Sequence, residues 1–109
     1  MVKSVDFLGD SLDALRRFPQ GARHQAGFQL DRVQHGLDPD DWKPMKSIGA
    51  GVKEIRVRDA AGAFRVIYVA KFEEAVYVLH CFQKKAGKTE KSAIDLARAR
   101  LRELMWRVR

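Results

Sequence analysis

Val52-Lys53-Glu54-Ile55-Arg56-Val57-Arg58, Phe64-Arg65-Val66-Ile67-Tyr68-Val69-Ala70 and Val76-Tyr77-Val78-Leu79-His80-Cys81-Phe82 are three strand-type runs in a row. In the first, Ile55 and Val57 alternate with Glu54, Arg56 and Arg58, so one face of that strand is apolar and the other is wet or functional. The third is apolar on both faces and belongs in the middle of a sheet. Asp59-Ala60-Ala61-Gly62 supplies the first turn and Glu73-Glu74 marks the second, and connections this short specify an antiparallel meander.

Outward from this core the periodicity changes. Before it, Val2 to Phe7 alternates weakly, as a short edge strand would. Ser11 is placed to cap a helix carrying Leu12, Leu15 and Phe18 on one face, which Pro19 ends. Ala22, Ala26, Leu30, Val33 and Leu37 follow at helical spacing, with Gly36 and Pro39 as the stop. Asp38 to Gly51, holding Pro39, Pro44, Gly49 and Gly51, reads as an irregular connection pinned by Trp42. After the strands, Thr89 or Ser92 caps a last helix with Ile94, Ala97, Leu101 and Leu104 or Met105 as its buried stripe, and Arg98, Arg102 and Arg109 on another face. The expected class is α+β in two layers: an N-terminal helical hairpin, an antiparallel sheet of three to four strands and a C-terminal helix. At 109 residues this is expected to be one domain spanning 1–109.

Charge narrows the function. Of the net +7, +6 falls in the last 26 residues, where nine basic side chains face three acidic ones. Such a localised excess is the footprint of a protein that meets a polyanion, although a solvated face or a dock for an acidic partner gives the same composition. No apolar run reaches signal-peptide or membrane-span length. Cys81, the single cysteine, lies in an apolar run, and a reducing, cytoplasmic setting is expected. His24, His35 and His80 lack metal-site spacing, Gly49-Ala50-Gly51 lacks the Lys-Ser/Thr of a phosphate-binding loop, and no nucleophilic triad is visible. No metal and no cofactor is expected.

Several pieces in order carry a resemblance: Lys43-Pro44-Met45-Lys46, Gly51-Val52-Lys53-Glu54-Ile55-Arg56-Val57, Ala63-Phe64-Arg65-Val66-Ile67-Tyr68, and Val78-Leu79-His80-Cys81-Phe82-Gln83-Lys84-Lys85 with Lys88-Thr89 behind it. Together the sequence resembles the HigB-like, phage-derived branch of the RelE/ParE toxin superfamily. The resemblance implies a RelE-like fold and the toxin of a type II toxin–antitoxin pair, with a helix-turn-helix antitoxin as partner. Members of this branch commonly cut mRNA, usually on the ribosome, whereas ParE relatives poison DNA gyrase on the same fold. A non-catalytic RNA- or protein-binding module is a further alternative.

Metal-free RNA cleavage uses the 2′-hydroxyl as nucleophile, so the protein must remove that proton, stabilise the phosphorane and protonate the leaving 5′-oxygen. Arg65 is similar in position to the family's arginine on the strand that floors the active site; its alternative is a salt bridge to Glu54 or Glu73. Arg56 is similar in position to a basic catalytic residue on the neighbouring strand, or is the solvent side of an alternating strand. Lys84 and Lys85 leave the third strand where the family carries basic residues facing RNA. His80 has a pKa suited to proton transfer, or is a hydrogen-bonded core histidine. Phe82 and Tyr68 are candidates to stack on a base, with core the preferred place for Tyr68. Lys46, Lys88, Arg98 and Arg102 complete the expected RNA-facing set. The chain departs from the RelE pattern in having no tyrosine after Tyr77, so the resemblance does not supply the proton-transfer group.

Overall fold

The computed structural model describes residues 2–85 and 89–107. The elements run β1 (Ser4–Phe7), α1 (Ser11–Arg16), α2 (Gln20–Gln34), β2 (Trp42–Pro44), β3 (Val52–Asp59), β4 (Gly62–Val69), β5 (Ala75–Lys84) and α3 (Lys91–Arg107). The expected α+β class, helical hairpin, meander and terminal helix are all present. The sheet has five strands rather than three to four, in the order β1-β5-β4-β3-β2. β1 is the edge strand expected at the front, and the unforeseen member is the opposite edge, β2. β2 comes from the connection read as irregular, because three residues ending in a proline are too few to show a period, yet Trp42 and Lys43 pair with Ile55 and Glu54. β1 lies parallel to β5, with Ser4 opposite Ala75 and Phe7 opposite Val78.

Alternation along the strands builds two cores, one on each face. The hairpin packs Leu15, Phe18, Ala22, Ala26, Leu30 and Val33 against Ile55, Val57, Phe64, Val66, Tyr68, Val76 and Val78. On the opposite face Ala97 and Leu104 of α3 meet Val52, Ile67, Val69, Tyr77 and Leu79. Helices therefore cover both faces, which is why β4 and β5, enclosed on each side, read as nearly continuous apolar runs. Among the described residues no helix is long and apolar enough to cross a membrane.

Local departures from the sequence reading have local causes. Ser11 does not cap α1 from outside; it is the first helical residue, buried, and its hydroxyl donates to the Val78 carbonyl at 3.3 Å. α2 ends before Leu37: Gly36 takes φ +83°, its N–H donates to the Val33 carbonyl and that of Leu37 to the Arg32 carbonyl, a Schellman stop that turns Leu37 out to solvent. At α3 the stripe uses Leu104 and leaves Met105 exposed. Thr89 is engaged elsewhere, and Ser92 lies inside the helix. Between β4 and β5 the register slips, Ile67 facing His80 but Tyr68 facing Val78, so Leu79 is an extra residue. Such a bulge re-aims the side chains beside it. Here Leu79 enters the α3-side core and the next residue, His80, comes opposite Ile67 on the same side.

Leu104 has no exposed surface and is a main anchor of α3. Leu104→Ala is expected to cost about 2–5 kcal/mol in urea unfolding, the range for emptying a closed aliphatic site.

Candidate active site

Because α3 covers only part of its face, the remainder of the sheet is open, and register determines what stands there. Three neighbouring rows cross β3, β4 and β5: Glu54–Ile67–His80, Arg56–Arg65–Phe82 and Arg58–Ala63–Lys84. The sheet alternation puts all three on the α3 side, and Lys43 of β2 extends the first row. The middle row sets Arg56 and Arg65 directly opposite each other, a like-charge cross-strand pair that destabilises a sheet by itself.

The counter-charge is Glu54. Its carboxylate is fully buried, accepts a hydrogen bond from the Thr89 hydroxyl at 2.8 Å, and lies 3.6 Å from Arg65 Nε and 3.9 Å from Lys43 Nζ. Arg65 is 4% exposed and its Nη1 donates to the Phe64 carbonyl at 3.0 Å. Burial lowers the guanidinium pKa, Glu54 opposes that, and the group stays charged as arginines do in proteins. The contact offered as the structural alternative for Arg65 is thus present, with Glu54 rather than Glu73 as partner.

Next to this row lies a cleft of about 300 Å³ lined by His80, Phe82, Lys84, Lys85, Glu90 and Ala93 among others. The His80 and Phe82 rings stack, with centroids 5.0 Å apart and planes 22° apart. Burial holds the His80 pKa below its ordinary value, the Arg100 guanidinium lowers it further, and Asp10 works in the opposite sense. Its Nδ1 is buried without a hydrogen-bond partner. Lys84 is half-buried, and its pKa is lowered by burial first and then by the cations Arg65, Lys43 and Arg56, against Glu54.

The structure thus brings Arg56, Arg65, His80, Phe82, Lys84 and Lys85 to one face and does not bring all the other candidates there. Arg98 is held by the Ser47 carbonyl, at 3.2 Å from Nε and 2.5 Å from Nη2, and by Asp95 at 3.3 Å. With Arg102 it borders a different hollow, formed with Ile48, Leu101 and Met105. Lys46 is exposed beside a third hollow near Trp42. Tyr68 points to the hairpin side, where burial pushes its phenol pKa up, so it is core. Lys88 and Arg109 lie outside the described residues.

Glu54, Lys43 and Thr89 are the residues the sequence reading underused: one seen as a wet-face residue or possible ion-pair partner, one as part of a motif, one as a helix cap. The available signal was that Glu54 and Arg56 share a face of β3, so a carboxylate and a guanidinium had to stand in adjacent rows. Among the described residues no three His, Cys, Asp or Glu side chains converge to hold a metal ion.

A sheet antiparallel except at β1, with a helical hairpin on one face and a terminal helix half-covering a basic cleft on the other, is an arrangement shared with a solved toxin structure. The free-state structure of a double arginine-to-alanine mutant of E. coli toxin RelE superposes with a TM-score of 0.66 at 17% identity, covering 95% of this chain and 99% of that one. Residues 13–102 match the profile of the family described as phage derived protein Gp49-like. The chain belongs to that family, and it shares its fold with RelE. No curated protein sequence gives a match.

His80 supplies a pH signature independent of activity. Its folded pKa lies below the unfolded value near 6.5, so the unfolded chain binds the proton more readily. The contribution of neutral His80 to stability is complete above pH 6.5 and is lost as pH falls through the folded pKa. In urea titrations at pH 7.5 and 5, His80→Gln is expected to lose less stability on acidification than the wild type.

Proposed function

We propose that this chain is the toxin of a type II toxin–antitoxin pair and that it cleaves mRNA on the ribosome, in the cytoplasm, by 2′-hydroxyl attack on the adjacent phosphate. The observation that carries this reading is the order of the rows: an imidazole, then two arginines, then a lysine, on one open sheet face. In-line displacement needs a base and an acid on opposite sides of the phosphorus with positive charge between them. His80 and Lys84 sit four residues apart on β5, about 13 Å along an extended strand, and the long, flexible Lys84 side chain can span part of that separation.

In this scheme a phosphate lies over the Arg56–Arg65 row. Imidazole kept neutral near pH 7 accepts the 2′-hydroxyl proton, the 2′-oxygen bonds to phosphorus, and the arginines bear the charge gathering on the phosphorane oxygens. The bond to the 5′-oxygen then breaks and Lys84, whose lowered pKa makes it a better donor than a free lysine, supplies the proton. The products are a 2′,3′-cyclic phosphate and a 5′-hydroxyl. Phe82 offers a ring on which a base can stack, and exposed Lys85 meets a neighbouring phosphate. The antitoxin, expected to be a helix-turn-helix protein, silences the activity by covering the cleft, so the saturated complex should not cut.

Mapping of RNA 5′ ends minutes after induction tests the scheme. Wild type is expected to create new ends within translated regions. Arg65→Lys and Lys84→Ala should each lower their formation on the order of 10²-fold, as loss of one preorganised donor does. Arg65→Ala should abolish cutting, but it also strands the buried Glu54 carboxylate, so the lysine variant is the cleaner probe. Growth arrest without new ends would redirect the search to a protein target such as gyrase.

A further inference from the structure

The described residues contain four buried polar or charged side chains, Ser11, Glu54, Arg65 and Thr89, and three of them form one cluster. Within it, Glu54 Oε1 and Arg65 Nε are both buried without a hydrogen-bond partner, and they stand 3.6 Å from each other. The carboxylate divides its work. Oε2 takes the Thr89 hydroxyl from the lead-in to α3, while Oε1 takes the charge of Arg65 on β4 and of Lys43 on β2 at 3.9 Å. One side chain thus ties together a central strand, an edge strand and the segment that closes the cleft.

From this arrangement we infer that Glu54 is a positioning residue, which fixes the Arg65 guanidinium beside the cleft and acts on the reaction only through it. Glu54 has no exposed surface, so no substrate atom reaches it. Its effect on Arg65 is the largest among the charges around that guanidinium: Arg56 opposite on β3 repels it, as do Arg58 and Lys84 in the next row, and the other carboxylate, Asp41, attracts it less than Glu54 does. Without the carboxylate, only the weaker attraction of Asp41 opposes this repulsion, and the guanidinium turns away toward water. A polyanion would still be attracted, because the cleft would carry one more positive charge than before. Binding and chemistry should therefore separate: loss of Glu54 leaves affinity equal or tighter and slows the cut.

This inference rests on the RNA-cleavage reading, and the test keeps the two apart. Single-turnover cleavage is measured on ribosomes programmed with a short mRNA, and affinity on the same complex bearing 2′-deoxynucleotides, which cannot be cut. Glu54→Gln, which keeps the shape and an oxygen for Thr89, is expected to slow cleavage roughly 10- to 100-fold, the scale of a small misplacement of a catalytic group, with affinity unchanged or increased. Cleavage at the wild-type rate would overturn the inference. So would a parallel fall in rate, affinity and melting temperature, which marks a purely structural role. If Glu54→Gln does not fold, Thr89→Val carries the test by the same criteria, because it frees the carboxylate while keeping its charge. The Arg65 Nε–H nuclear magnetic resonance signal is read in parallel. A shifted or broadened signal in the variant supports positioning even if the wild type cuts no RNA, the result that defeats the functional reading alone. An unmoved signal overturns positioning whatever the activity.

Discussion

A carboxylate with no exposed surface, set among two cations and a hydroxyl, is the constraint around which the open face of this sheet is arranged. Burying a charge costs several kcal/mol unless partners compensate it, and here the compensation comes from residues far apart in sequence. Lys43, Arg65 and Thr89 can satisfy Glu54 together only when β2, β4 and the start of α3 are all in place. Opposed arginines on neighbouring strands are tolerable for the same reason. The site and the sheet therefore depend on one electrostatic balance, and the cationic face is a consequence of it as much as a feature of composition.

Legibility from sequence followed the length of the pattern. β3, β4 and β5 were readable because eight to ten residues of alternation or continuous apolarity leave little choice, and α2 was readable from Ala22, Ala26, Leu30 and Val33. β2 was not, because three residues ending in Pro44 have no period. The parallel pairing of β1 with β5 was hidden too, since strand order is set by packing across the chain and not by local propensity. Helix ends failed where a side chain had a stronger tertiary partner, as Ser11 does in Val78 and Thr89 in Glu54.

The candidate site was legible by residue type and not by arrangement. Arg56, Arg65 and Lys84 stood out as charges on or beside apolar strands, and sheet alternation was enough to place them together. What linear reading could not supply was the bulge at Leu79, which aligns His80 with Ile67, and the capture of Arg98 by the Ser47 carbonyl. Both depend on contacts made by other elements. A basic C-terminal segment thus mixes residues that face the cleft with residues that fasten the helix, and net charge cannot sort them.

The pairing of β1 with β5 also bears on how the protein comes into being during synthesis. Ser4 waits for Ala75 before its strand has a neighbour, and the cleft waits longer, because one wall is built from α3, which is made after every strand of the sheet. Contacts this distant in sequence cannot form on a partly emerged chain. The cleft is therefore complete only once α3 has emerged, and a growing chain that has made the sheet alone still lacks one of its walls.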